Sequence, residues 1–356
     1  MSDQFRALLQ KVGSGTHTSK TMTRSESQAA MALMLEQQAT PAQIGAFMIA
    51  HRIRRPTGEE MAGMLDAYDE LGPALPPLEG KTPLIFNSPY DGRSRTAPVS
   101  PLVSLVLATV GQPSLMHGGG RMPTKYGLPT SEVWQLLGVD WTPLELPHVR
   151  RVLQQTHIGF VYVPRQFPLA EGLVAYREQI GKRPPSATLE LLWSPYRGPS
   201  RLVFGFVHPP TEERAQDTFR RRQRDDYIAV KGLEGSCDLP QNRACIIGIQ
   251  RPQAAFQRLI LHPQDYGVAD TDIPLPPTAQ FASDMQGVLQ GDRSPLAAAA
   301  VWNSGFYLWQ SGCCSTIEDG LTLAQGRFES GDALQALNTL KQAIAQTAGL
   351  NASLEC

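Results

Sequence analysis

Thr40-Pro41-Ala42-Gln43-Ile44-Gly45-Ala46-Phe47, followed beyond Arg54 by Thr57-Gly58-Glu59-Glu60-Met61-Ala62-Gly63, is the stretch that decides the fold. Each segment opens on a threonine and carries Gln or Glu three residues later. In that capping-box arrangement the two side chains satisfy backbone N–H groups that a helix start leaves unpaired. Pro41 suits the first helical position. Ile44, Phe47 and Met48, then Met61, Met64, Leu65 and Tyr68, recur at the spacing of one helix face. Upstream, Thr23-Arg24-Ser25-Glu26 repeats the signal ahead of Met31, Met34 and Leu35, and Leu71-Gly72-Pro73 supplies a stop. A helical domain is therefore expected over residues 1–75. Ile44, Phe47, Met48, Met61, Met64 and Leu65 are more apolar surface than a three-helix unit can hide alone, which predicts a symmetric homodimer through this domain.

After the proline-rich residues 73–83 the texture changes to short apolar runs punctuated by glycine and proline. Strands are predicted at 84–86, 114–116, 160–163, 202–207, 227–230 and 244–249. Helices are predicted at 102–110, 131–137, 296–309, 315–328 and 332–348, the fourth opened by a Ser315-x-x-Glu318 box. Strands alternating with helices define a larger wound α/β domain over 76–168 and 193–356, while the helical spacing of 169–192 lets that segment return to the first domain.

Composition narrows the function. At 42% hydrophobic and 18% charged residues the chain can bury a sizeable core. Lys plus Arg number 32 against 33 Asp plus Glu, a net charge of −1, so no whole-molecule positive field draws it onto nucleic acid or an anionic membrane. Such contact needs a local patch. The densest is Arg220-Arg221-Arg222-Gln223-Arg224, read either as a solvated helix face ending at Asp225-Asp226 or as a contact for backbone phosphates. No apolar run reaches membrane-spanning length and Met1-Ser2-Asp3-Gln4 leads into no signal-like stretch, so a soluble cytoplasmic chain is expected. Cys237, Cys245, Cys313, Cys314 and Cys356 are odd in number and match no zinc or redox spacing, as reduced thiols do. The histidines show no metal spacing.

Two loops follow strands and precede helices, where backbone N–H groups collect anions in open α/β sheets. The first is Asn87-Ser88-Pro89-Tyr90-Asp91-Gly92-Arg93-Ser94-Arg95-Thr96; the second is Met116-His117-Gly118-Gly119-Gly120-Arg121-Met122-Pro123-Thr124-Lys125. Consecutive glycines let backbone approach phosphate oxygens, and Arg121 and Lys125 supply charge; an ordinary mobile turn is the alternative reading of the same residues.

The helical motifs, together with His117-Gly118, Leu137-Gly138-Val139, Gly159-Phe160, Arg177 with Gly181-x-Arg183, Ser294-Pro295-Leu296 with Asn303-Ser304-Gly305, Glu318-Asp319-Gly320 and Ser330-Gly331, resemble anthranilate phosphoribosyltransferase. That family belongs with the nucleoside phosphorylase-like glycosyltransferases. The resemblance implies a helical dimerisation domain joined to an α/β domain, with phosphoribosyl pyrophosphate (PRPP) in the cleft between them. It implies donor-phosphate contacts at Asp91, Gly92, His117 and Gly118, with Arg93, Ser94, Gly119, Arg121 and Lys125 as the further groups those two loops offer an anion, and an acceptor carboxylate on Arg177. It also implies magnesium on an adjacent Asp-Glu pair.

The motifs depart from that pattern. Only Asp91-Gly92 matches the end of the family's Gly-Thr-Gly-Gly-Asp loop, and Pro89 and Tyr90 stand where a phosphate needs bare backbone. Met116 and Gly119 replace the lysine and asparagine of its Lys-His-Gly-Asn-Arg-Ser loop. Glu234 and Asp238, four residues apart, replace the acidic pair, so magnesium binding is expected to be weak or absent. Ser88-Pro89-Tyr90-Asp91-Gly92-Arg93-Ser94-Arg95 and Lys231-Gly232-Leu233-Glu234-Gly235 are more similar to the family's divergent branch, which is associated with nucleic-acid binding. Two functions follow as expectations. One is phosphoribosyl or related glycosyl transfer to a nitrogenous acceptor; the other is non-catalytic nucleic-acid binding through Arg220, Arg221, Arg222 and Arg224, with Arg93 and Arg95 as a second patch.

Overall fold

The computed structural model of the chain describes residues 3–15 and 17–352; Met1, Ser2 and the Cys356 thiol lie outside the described residues. Four helices open the chain: α1 (Asp3–Gly13), α2 (Arg24–Leu35), α3 (Pro41–Arg54) and α4 (Gly58–Leu71). The three capping boxes predicted for α2, α3 and α4 form. The Thr23, Thr40 and Thr57 hydroxyls accept from the N–H groups of Glu26, Gln43 and Glu60, whose side chains accept in turn from the threonine N–H groups. Gly63 lets α4 lie against the start of α2, where a Cβ would stand 2.0 Å from the Arg24 carbonyl oxygen.

The α/β domain carries seven strands, β1 (Leu84–Asn87), β2 (Ser114–Gly118), β3 (Ile158–Tyr162), β4 (Arg201–Gly205), β5 (Tyr227–Val230), β6 (Cys245–Gln250) and β7 (Gln257–Leu261). Their order is β3-β2-β1-β4-β5-β6-β7; the first five run parallel, β6 runs antiparallel to β5, and β7 antiparallel to β6. The chain winds outward from β1 through β2 to β3, then crosses to β4 on the other side of β1. The C-terminal ends of β1 and β4 therefore flank a topological switch point, where open α/β sheets hold their ligands.

The sheet alternates sides with period two. Val203, Ile228 and Val230 pack into one core, which includes helix α5 (Ser100–Thr109) and the C-terminal helices. Leu202, Phe204, Tyr227 and Ala229 pack into a second core shared with α1 to α4. Leu173, Tyr176, Leu189 and Leu192 from in and around helices Val174–Ile180 and Ser186–Leu192 join that second core.

Several expectations are corrected. Ile44, Phe47, Met48, Met61, Met64 and Leu65 are each 2% exposed or less within one chain. Helix α1 lays Phe5 against Phe47, with ring centroids 5.3 Å apart, and the sheet and returning helices cover the remainder. These residues therefore give no ground for a homodimer. Helix Ile317–Glu329 is capped by Thr316, which accepts from Asp319 N at 3.1 Å, rather than by Ser315. The arginine-rich helix runs Pro209–Arg221 and ends before Arg222 and Arg224. Strand β7 and helices Leu146–Thr156 and Thr278–Leu289 are additional to the predicted elements.

Candidate ligand cleft

The loop after β1 and the turn after β5 meet above the end of β4. Gly205 sits beneath them, and a Cβ there would lie 2.1 Å from the Gly235 carbonyl oxygen. The two sequence-predicted loops are joined edge to edge: Gly127 N donates to Asp91 O at 2.9 Å and Arg93 N to Leu128 O at 2.9 Å. Gly92 holds a φ of +76° between them, where a Cβ would stand 2.6 Å from the backbone of Gly127 and Leu128.

Into this junction the β5 turn inserts Glu234, whose side chain is 3% exposed. One carboxylate oxygen accepts from Arg95 N and Thr96 N, both at 3.0 Å, and from Thr96 Oγ1 at 3.0 Å. The other accepts from Ser94 N at 3.2 Å and Ser94 Oγ at 3.3 Å, with Lys125 Nζ at 2.5 Å. Burial resists ionisation, but the Lys125 ammonium, the Arg95 N–H and the Arg93 guanidinium together hold this carboxyl far below its ordinary range. Three consecutive N–H groups, two hydroxyls and an ammonium form an anion cradle, and the anion is the chain's own carboxylate.

Asp238 takes the adjacent anion position. It accepts from Val99 N at 3.2 Å and Ser100 Oγ at 2.6 Å, satisfying donors at the N-terminus of α5, where a helix favours negative charge. Arg93, 5% exposed, spans the two acids: Nε lies 3.4 Å from Glu234 and Nη1 is 2.7 Å from both Asp238 and Ser236 Oγ. The acids are thus separated by a guanidinium and saturated with donors. They do not fit a divalent cation, which needs unneutralised oxygens on one centre. Among the described residues no group of three or more His, Cys, Asp or Glu could hold a metal ion.

On the other side of the loop, His117 is buried. Its Nε2 is 2.9 Å from Asn87 Oδ1, and the Tyr90 hydroxyl meets its Nδ1. Because Asn87 Nδ2 donates to Trp193 O and Leu191 O, its oxygen faces the ring, which assigns the proton to Nε2 and makes Tyr90 the donor to Nδ1. Burial pushes the imidazole down to about 3. The ring is neutral at physiological pH and cannot counter a phosphate.

Arg177 is 4% exposed and lines the cavity between the helical domain and the sheet. It is already paired: Glu190 accepts from Nη2, and Met122 Sδ lies 3.0 Å from Nη1. Tyr68, Phe167 and Trp193 fill the remainder with tilted and edge-on rings. About 20 Å³ of cavity is left, room for roughly one water molecule. Two polar atoms on the lining residues lack partners, Trp193 Nε1 and Glu171 Oε2, the latter on a carboxyl whose pKa is raised by burial.

The other candidates scatter. Gly118 ends β2, and the Gly119 carbonyl accepts from Ser131 Oγ at 2.7 Å. Arg121 pairs with Glu132 at 2.8 Å, not with the cradle. The predicted arginine face is mostly a clasp between domains. Arg222, its side chain only 18% exposed, pairs with Asp66 and Asp69 of α4 and donates to Ala62 O at 3.1 Å. Arg221 reaches Asp217 at 3.0 Å and Glu59 at 3.5 Å. Arg224 is half-buried beside Ser200 O; Arg220, at 75% exposed, is the arginine of the run most open to solvent. Of the second patch Arg93 is buried and Arg95 is 78% exposed. Glu190 was not anticipated from sequence, because a glutamate within Leu189-Glu190-Leu191-Leu192 carries no signal of the arginine it meets.

The helical bundle packs on the wound sheet, and the two loops meet the β5 turn at the switch point. The chain belongs to the glycosyl transferase family whose helical bundle domain matches residues 6–72 and whose a/b domain matches residues 91–334. Among its relatives are the anthranilate phosphoribosyltransferases of Delftia acidovorans, 25% identical over 90% of this chain and 92% of that one, and of Acetivibrio thermocellus, 25% identical over 93% and 95%. The fold is shared with anthranilate phosphoribosyltransferase from Saccharomyces cerevisiae in complex with PRPP and Mg (TM-score 0.81, 15% identity, 96% of this chain and 98% of that one). It is also shared with the enzyme from Thermus thermophilus (TM-score 0.77, 19% identity, 97% and 100%). No helix among the described residues is long and apolar enough to cross a membrane.

Proposed function

We propose that this chain is a family member whose cleft no longer takes a phosphoribosyl donor and which binds nucleic acid through backbone phosphates. The observation that carries the first half is Glu234 seated on the Ser94, Arg95 and Thr96 N–H groups with Lys125 and Arg93 around it. A pyrophosphate would have to share those donors with a fixed negative charge, and no pair of free carboxylates remains for the magnesium that offsets a departing pyrophosphate. The second half rests on the resemblance of residues 88–95 and 231–235 to the nucleic-acid-binding branch. It also rests on the exposed cations Arg95, Arg183 and Arg220, 78, 40 and 75% exposed.

Phosphate-directed binding weakens steeply with salt and shows little base preference. Fluorescence anisotropy with labelled single- and double-stranded oligonucleotides across a salt series tests this. The absence of binding at low salt refutes it. One observation favours phosphoribosyl transfer instead: Arg177 lines the cavity between the domains, where an acceptor carboxylate could displace Glu190.

A further inference from the structure

The Glu234 cradle has more donors than its occupant can use. Ser94 N, Ser94 Oγ, Arg95 N, Thr96 N, Thr96 Oγ1, Arg93 Nε and Lys125 Nζ converge on two oxygens. A carboxylate offers roughly four lone-pair positions, whereas a phosphate group presents three strong acceptor oxygens. The donors are arranged for a larger and more highly charged anion than the one that sits there.

The occupant is carried at the tip of a tight turn whose closing bonds lie on its neighbours. Glu234 has φ +53° and ψ +22°, and Gly235 follows with φ +80°, so two successive residues are left-handed and the first is not glycine. Leu233 is pinned on both sides, its N–H donating to Asp238 O at 2.9 Å and its carbonyl accepting from Ser236 N at 3.0 Å and Ser236 Oγ at 2.8 Å, while Gly235 N donates to Gly232 O at 3.3 Å. Most of the polar contacts of residue 234 run through its carboxylate to the cradle. Release of that group frees the residue from a conformation its side chain disfavours. Asp238 and Cys237 anchor the following residues to α5 and to β1 and β4, and Leu233 is bonded to Asp238 and Ser236, so the moving part is confined to Glu234 and Gly235.

We propose that this turn is an autoinhibitory latch: the Glu234 carboxylate stands in for a phosphate group, and a phosphate ligand gains the cradle when the tip of the turn swings out. The inference rests on the reading that the cleft no longer serves a pyrophosphate donor in its resting state. It assigns that loss to a tethered competitor, not to a missing binding surface. A sugar pyrophosphate and a nucleic-acid phosphodiester share the chemistry the cradle recognises.

The test removes the competitor. Glu234→Gly suits a left-handed backbone, and Glu234→Gln keeps the volume while removing the charge. Inorganic pyrophosphate is titrated calorimetrically into the full chain in metal-free buffer, and a short single-stranded oligonucleotide is titrated in parallel. The latch predicts pyrophosphate affinity about tenfold or more tighter in Glu234→Gly than in wild type, from removal of a like charge. A smaller gain is expected in Glu234→Gln, and the gain should disappear in Glu234→Gly combined with Lys125→Ala. Unchanged pyrophosphate affinity in both single variants overturns the latch, as does a gain that survives the loss of Lys125. A gain for the oligonucleotide as well identifies phosphodiesters as ligands of the cradle. A gain for pyrophosphate with no oligonucleotide binding in any variant sinks the nucleic-acid reading and leaves the latch standing.

Discussion

Replacing Arg222 by glutamine should destabilise the protein, and replacing Arg220 should not. Arg222 joins the α/β domain to α4 through Asp66, Asp69 and the Ala62 carbonyl, with its side chain 18% exposed. Charge-assisted hydrogen bonds at such sites contribute about 1.5–3 kcal/mol each. The loss is smaller than their sum because both acids keep a second partner, Asp66 with Arg24 at 2.5 Å and Asp69 with Arg197 at 2.7 Å. About 2 kcal/mol is a reasonable net cost. Unfolding entropy of about 2.1 cal/mol/K per residue, taken over 356 residues, gives about 0.75 kcal/mol/K, so Tm should fall by about 3 °C. Among the described residues Arg220 pairs only with Asp217, at 3.3 Å, and it is 75% exposed, so its replacement should move Tm by less than about 1 °C. Calorimetry of both variants and wild type at one pH and salt concentration makes the comparison. Equal shifts in the two variants, or none in Arg222→Gln, would refute the clasp and return the run to the solvated face its sequence first resembles.

Thr40→Ala removes a hydroxyl cap on α3 and should cost about 1 kcal/mol, read as a Tm drop of about 1–2 °C. Gly92→Ala places a methyl group 2.6 Å from the Gly127 and Leu128 backbones at φ +76°, so it should either abolish folding or lower Tm more than any other single change named here. Burial resists ionisation of Glu60, but His51 and the Met22 and Thr57 N–H groups hold its carboxyl at about 2 against an ordinary 4.5. A depressed carboxyl contributes stability above pH 4.5 that is lost as pH falls towards 2, so Tm measured across that window should be flatter in Glu60→Gln than in wild type.

The helical domain was legible because its signals are local. A threonine, a spacing of three and a carboxyl or amide side chain specify a helix start without knowledge of anything distant, and all three starts fall where those residues stand. The strands were legible as apolar runs, except β7, whose Gln257 and Arg258 face water at the sheet edge. Helix Leu146–Thr156 carries a readable stripe, Val149, Val152, Leu153 and Thr156, obscured by Pro147 and paired arginines. The site was legible as a set of positions but not as a set of partners. Glu234 and Lys125 lie far apart in the chain, and nothing in either segment announces that one neutralises the other. The same holds for Arg222 with Asp66, where a run of like charges reads as surface until the fold supplies acids opposite it.

The claim that the chain's own carboxylates hold the donor site is tested most directly by titrating PRPP into wild-type protein with and without magnesium. Binding no tighter than about 1 mM is expected in either condition, with no difference made by the metal. Micromolar affinity that appears only with magnesium would contradict it and restore phosphoribosyl transfer as the function of this cleft.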